Sequence, residues 1–276
     1  MSFADVSSQM PELPDVAVFE RYLDSTSLHQ EIDSVNVTDR DVLQDVSARR
    51  LSSAVASRQF TSTLRHGKHL FVKLGGGGLW LELHFGMTGE PKYCKSEDEP
   101  PEYARVILHF TNGFQLAYVT RRKLGHVSLV GAPDELIAEL DLGPDALRDG
   151  CRFEVFRKAL GGGRGTIKSA LMAQDKLAGI GNVYSDEILY HAHIHPKTPV
   201  ARLNDKDVGK LHRSMIKVLE TAIERKADVR QMPRTWLLPH RKEGRPCPRC
   251  GAKLKTLKVS GRTAYVCDGC QQLKAS

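Results

Sequence analysis

Apolar and polar positions change their period several times along this 276-residue chain. Val16, Phe19, Tyr22 and Leu23 share one face at helical spacing behind Pro14 and Asp15. A proline needs no donor in a first helical turn, and an acid there faces the positive end of the dipole. Residues 32–37 alternate and predict a strand, while 40–60 reads as a short helix and a strand end. From 68 to 130 the period is two. Strands are expected at 69–74 and 79–85 around Gly75-Gly76-Gly77-Gly78, then at 104–110 and 114–119 around Thr111-Asn112-Gly113, then at 125–130. Asn-Gly between alternating runs is a strong hairpin signal. Residues 92–102 are polar with two prolines and read as a loop. A helix is expected at 133–140.

Past Gly143-Pro144 the helical period returns, at 151–160, 166–174, 182–193 and about 205–225. In the last of these, Leu211, Met215, Val218, Leu219, Ala222 and Ile223 form one stripe, which is core packing. Residues 227–246 carry three prolines and read as a linker loop. The expected fold is α+β: a two-layered β-sandwich with flanking helices over 10–142, a helical domain over 143–240 and a small module over 241–276. Residues 1–9 form an extension. No apolar run reaches the roughly 20 residues that span a bilayer, and 1–9 lacks the build of a signal peptide. The expectation is a cytoplasmic protein with no membrane partner.

Charge sharpens the picture at the C-terminus. The net charge is +7, and residues 241–276 hold nine Lys/Arg against two acids, which is the whole excess. A basic module on a neutral body suits a polyanion, although a solvated charge run reads the same way. Four of the six cysteines lie here, as Cys247-Pro248-Arg249-Cys250 and Cys267-Asp268-Gly269-Cys270 with 16 residues between the pairs. Two C-x2-C knuckles at this spacing match a structural zinc site with four thiolates, one ion per chain. Two disulfides are the alternative, and they suit a secreted module instead. Strands at 255–259 and 263–266 flank Ser260-Gly261, with Arg262 at the hairpin tip, within reach of a phosphate.

Two further stretches carry candidate chemistry. Met10-Pro11-Glu12 looks like a chain start. Were Pro11 N-terminal, its secondary amine would be partly neutral near pH 7 and able to form a Schiff base. With residues 1–10 attached, the same nitrogen is a tertiary amide with no nucleophilic pair. Leu177-Ala178-Gly179-Ile180-Gly181-Asn182 precedes a helix whose free N–H groups can hold an anion, with Asn182 as its cap. By itself this hexapeptide reads as a plain helical corner. His191, His193 and His195 read as packing or surface residues.

Four separated blocks together resemble the bacterial formamidopyrimidine-DNA glycosylase / endonuclease VIII family. They are Pro11-Glu12-Leu13-Pro14-Asp15-Val16; Arg65-His66-Gly67-Lys68 with Leu83-His84-Phe85-Gly86-Met87-Thr88-Gly89; Ile167-Lys168 through Gln174 with Gly179-Ile180-Gly181-Asn182 through Glu187; and the cysteine hairpin with Gly261-Arg262. The resemblance implies a helix-two-turn-helix in the helical domain and a monomeric, nucleoid-associated base-excision-repair enzyme with AP lyase activity. Its partner would be double-stranded DNA holding an oxidised base or an abasic site, and it would nick the strand by β,δ-elimination. Pro11 would be the nucleophile, Glu12 the proton relay at the sugar and Lys68 a group near the phosphate and sugar. Lys168, Asn182 and Arg262 match DNA-contact positions. Met87, Arg122 and Leu124 match side chains that fill the gap left by a flipped base.

The chain departs from the family pattern at four places. Residues 1–9 precede Met10, and Asp15 stands for a glutamate. Thr120-Arg121 stands for Asp-Pro, and the segment before Cys247 is short. The formamidopyrimidine branch uses that segment to cover an oxidised purine, so its shortness keeps oxidised pyrimidines open as substrates. A non-catalytic binder of damaged or abasic DNA on the same scaffold is the alternative if 1–9 is retained.

Overall fold

The period-two stretch and the two strands before it fold into two four-stranded antiparallel sheets. The computed structural model describes residues 10–161 and 165–274; the extension over 1–9 lies outside the described residues. Contacts divide the chain into two units, residues 10–11 with 15–140 and residues 12–14 with 141–274.

In the first unit, strands β1 (Ile32–Val37), β2 (Phe60–His66), β3 (His69–Leu74), β4 (Trp80–His84), β5 (Glu90–Lys95), β6 (Ala104–Phe110), β7 (Phe114–Val119) and β8 (His126–Val130) form sheets ordered β1-β6-β7-β5 and β2-β3-β4-β8. Leu70, Val72, Leu81 and Leu83 of one sheet and Val106, Leu108, Leu116 and Tyr118 of the other share a single core, as expected for two packed layers. Val16, Phe19 and Leu23 of helix α1 (Leu13–Thr26) enter that core, and Phe19 meets Phe85 edge-on at 4.7 Å. Helices α2 (Ala48–Val55) and α3 (Pro133–Glu139) complete the unit.

The expected loop at 92–102 begins with a strand. β5 pairs with β7, placing Pro91 opposite Tyr118. A proline is tolerated because β5 is the sheet's edge, with one ladder only. Tyr93 holds the edge down: its ring stacks on Phe114 at 5.0 Å, and its N–H donates to the Tyr22 hydroxyl at 2.9 Å. Polar composition hid a strand whose outward face is solvated.

The second unit contains α4 (Phe153–Leu160), α5 (Ile167–Met172), α6 (Asn182–Ala192) and α7 (Asp205–Glu224), followed by the hairpin β9 (Lys255–Val259) and β10 (Arg262–Val266). The α7 stripe is fully inside, as its spacing predicts. Residues 227–246 are not a free linker. Met232, Trp236, Leu237 and Leu238 are buried, and the Glu187 carboxylate accepts the N–H groups of Leu237 at 3.1 Å and Leu238 at 2.6 Å. Tyr190, Leu237, Cys247, Leu254 and Cys267 then form a small core that seats the hairpin.

Candidate active site and nucleic-acid interface

In the first unit, one end of the β2-β3-β4-β8 sheet gathers several candidate residues. Strand register aligns His66, His69, His84 and His126 in one row. The β2–β3 connection beyond that row is the two-residue turn Gly67-Lys68. Gly67 takes φ +56°, the left-handed value such a turn requires at its first position. The Arg65 guanidinium donates to the Gly67 carbonyl at 3.1 Å from a buried position and fixes the turn. Lys68 therefore stands on a rigid tip, its Nζ 4.0 Å from the Met10 sulfur. Pro11, next in the chain, is buried.

The same row also ends β4 and begins β8. Met87 follows β4, and Arg122 and Leu124 precede β8, so register brings all three to the end that carries Lys68. The two loops touch: a Cβ on Gly86 would lie 2.3 Å from the Leu124 carbonyl carbon, and the Arg122 N–H donates to Thr88 Oγ1 at 3.2 Å. Arg105 Nε holds the Thr120 carbonyl at 3.1 Å, and Lys123 bridges Asp39 and Asp41 at 2.8 Å each. Thr120-Arg121 thus has its own anchors. Leu124 is 53 % exposed, a large apolar side chain held out on a braced loop.

Below the histidine row sits a buried carboxylate that sequence reasoning missed. Glu82 accepts from His69 at 2.9 Å, from Ser128 at 2.9 Å and from His126 at 3.1 Å. Burial alone would raise its pKa; the hydrogen bonds from His126 and His69 outweigh that and hold it at about 2. The His84 ring lies between those of His69, at 4.9 Å, and His126, at 5.2 Å. Burial, with these two rings beside it, pushes His84 down to about 3. No sequence spacing signals this row, because four strands contribute one residue each.

In the second unit, Glu12 is the anion at the α6 N-terminus. Its carboxylate accepts the N–H groups of Gly181 at 2.7 Å, Val183 at 2.8 Å and Tyr184 at 3.2 Å. A Cβ on Gly181 would fall 2.4 Å from the Glu12 carboxyl carbon, so only glycine allows this approach. The corner thus does bind an anion, supplied by the chain itself. The cap is Gly181, and Asn182 is the first helical residue, which corrects the expected capping role of Asn182. Its side-chain N–H₂ instead donates to the Thr263 carbonyl of β10 at 3.1 Å. Arg262, one residue earlier, is exposed at the hairpin tip, where Ser260 and Gly261 both take positive φ in the turn.

Lys168 is corrected as a DNA contact. It is fully buried, and its three ammonium protons have three acceptors: Asp186 Oδ1 at 2.6 Å, Ser185 Oγ at 2.9 Å and the Asn182 carbonyl at 3.0 Å. Asp186 Oδ2 also accepts from Arg241 at 2.8 Å and from the Tyr265 N–H at 3.1 Å. Burial lowers the Lys168 pKa, and Asp186 opposes the shift. Adjacent acids on a helix apolar on every side were the available sequence signal for this network.

Cys247, Cys250, Cys267 and Cys270 bring four sulfurs within 4.8 Å of one another, and none is in a disulfide. Two of the separations are 3.8 Å and 3.4 Å. A tetrahedral ion with bonds of about 2.3 Å needs sulfurs about 3.8 Å apart, so the set fits a four-thiolate metal centre.

Against known proteins, residues 10–127 match the formamidopyrimidine-DNA glycosylase N-terminal domain and 142–233 match the formamidopyrimidine-DNA glycosylase H2TH domain. Residues 244–273 match the zinc finger found in FPG and IleRS. A formamidopyrimidine-DNA glycosylase of Pelotomaculum thermopropionicum is 32% identical over 277 residues, covering 96% of this chain and 100% of the relative. The chain belongs to the formamidopyrimidine-DNA glycosylase family. A family member from Streptococcus pyogenes is 34% identical, with 95% of this chain and 99% of that protein covered. Among solved family structures, MutM in complex with DNA containing carbocyclic 8-oxo-G aligns with TM-score 0.85 at 27% identity, covering 95% of this chain and 100% of that one. The Lactococcus lactis enzyme bound to abasic-site DNA aligns with TM-score 0.84 at 27% identity, covering 95% and 99%.

Proposed function

We propose that this chain is a base-excision-repair glycosylase that removes oxidised bases from duplex DNA and then nicks the strand. The observation that carries the reading is the Glu12 carboxylate, fixed by three backbone N–H groups and covalently next to Pro11. With Pro11 N-terminal, its amine attacks C1′, the glycosidic bond breaks and the base leaves with a proton; the C1′–O4′ bond then opens, O4′ takes a proton and the C1′–N bond becomes an iminium. The resulting iminium permits β- and then δ-elimination by general acid–base steps. Glu12 relays protons at the opening sugar, and Lys68 serves the phosphate side from its rigid turn. Met87, Arg122 and Leu124 occupy the space of the flipped nucleotide, and Asn182 and Arg262 hold backbone phosphates. One structural Zn²⁺ on Cys247, Cys250, Cys267 and Cys270 keeps the hairpin folded. Met232, Trp236, Leu237 and Leu238 are buried and the last two are held by Glu187, so the short segment before Cys247 has little free chain to cover a large base, and oxidised pyrimidines stay open as substrates. The enzyme works as a monomer.

The test begins with the intact mass and N-terminal sequence of protein expressed from its own gene context. A chain beginning at Pro11 should give a borohydride-trapped adduct on duplexes carrying oxidised pyrimidines, ring-opened purines or an abasic site. Pro11→Gly should weaken trapping. A Pro11-initiated chain that binds these duplexes but neither excises nor cross-links would overturn the enzyme reading in favour of a damage-binding protein.

A further inference from the structure

Lys168 and Glu12 touch opposite ends of one peptide group. The Asn182 carbonyl accepts from Lys168 Nζ at 3.0 Å, and the N–H of that same peptide, on Val183, donates to Glu12 Oε1 at 2.8 Å. Both side chains are buried. The peptide plane therefore links an ammonium to the carboxylate at the head of α6. Hydrogen bonds in series polarise one another, and a cation on the carbonyl makes the N–H a stronger donor to an anion. Charges in the surrounding network support this arrangement. Lys168 and Arg241 are two cations on a single carboxylate, Asp186. The excess positive charge is offset once Glu12 is counted.

We propose that Lys168 is a positioning residue for Glu12, acting through the Asn182–Val183 peptide to hold the Glu12 carboxylate in place for proton transfer at the sugar. Asp186 sets the ammonium by taking its shortest hydrogen bond, and Arg241 closes the far side of Asp186. This rests on the reading of Glu12 as the proton relay. It gives the buried lysine a part in chemistry without contact with DNA.

The test is single-turnover excision and abasic-duplex binding with the Pro11-initiated protein, its zinc content checked. Lys168→Met should slow excision at saturating enzyme at least tenfold while the affinity for an abasic duplex stays within threefold. Lys168→Arg, which keeps a cation on the carbonyl, should recover much of the rate. A residue serving only the fold would lower affinity, zinc content and melting temperature together, and Lys168→Arg would recover all three or none. If Lys168→Met does not fold, Lys168→Met/Asp186→Asn removes the ion pair while leaving an amide oxygen to accept from Arg241 and the Tyr265 N–H, and the same loss of rate at preserved affinity is expected. Normal excision by a folded Lys168→Met or double variant overturns the proposal, provided Glu12→Gln is inactive. Wild-type excision by Glu12→Gln instead overturns the role of Glu12 itself.

Discussion

The histidine row makes the first unit sensitive to mild acid. His84 is held down to about 3 by burial and by the flanking rings of His69 and His126. Unfolded, it takes a proton near pH 6.5. Between those values the unfolded chain binds more protons than the folded one, so stability rises with pH. The contribution is complete above pH 6.5 and is lost as pH falls through that range, at about 1.4 kcal/mol per unit. From pH 7 to pH 5 the loss from His84 is about 2 kcal/mol. Glu82, at about 2, adds its own loss only below its unfolded value of 4.5. The perturbation is His84→Gln, which removes the titration. Urea unfolding at pH 7, 6 and 5 measures it, followed by the fluorescence of Trp80 on β4. A Trp236→Phe background silences the other of the two tryptophans. With a urea slope of about 2 kcal/mol per molar, the starting protein should lose about 1 M in midpoint between pH 7 and 5 more than the His84→Gln variant loses. The remaining histidines are the same in both proteins, so the difference reports on His84. Parallel losses in the two proteins would refute the argument.

Glu187→Gln should destabilise the second unit by about 2–3 kcal/mol, because its carboxylate accepts two buried N–H groups that an amide cannot both satisfy; urea unfolding followed by Trp236 fluorescence checks this. Chelation should remove one zinc per chain, by metal analysis, and lower affinity for an abasic duplex at least tenfold; unchanged affinity after verified loss would remove the hairpin from binding. Affinity should fall steeply with salt, and Arg262→Ala should reduce the slope of log K against log salt by about 1. Glu12→Gln should abolish excision in a gel assay while abasic-duplex affinity stays within a few-fold.

Local pattern determined much of this protein. The α1 and α7 stripes, the Asn-Gly hairpin and the turn at Ser260-Gly261 follow from periodicity and turn chemistry, which act over a few residues. The four cysteines were legible because tetrahedral ligation needs two tight knuckles. The blocks around Pro11, Lys68 and Gly181 pointed to the family for the same reason, each being contiguous. Tertiary structure decided what depends on residues far apart in the chain. Lys168 resembled a phosphate contact until Ser185, Asp186 and the Asn182 carbonyl closed around it. Asn182 lost the cap because Glu12, some 170 positions away, fills the helix end. The strand at Glu90–Lys95 formed because β7 offered an edge. Glu82 became a buried anion only when register set His69 and His126 on either side of it. Spacing encodes which face a residue takes; what waits on the other side of that face is set by packing.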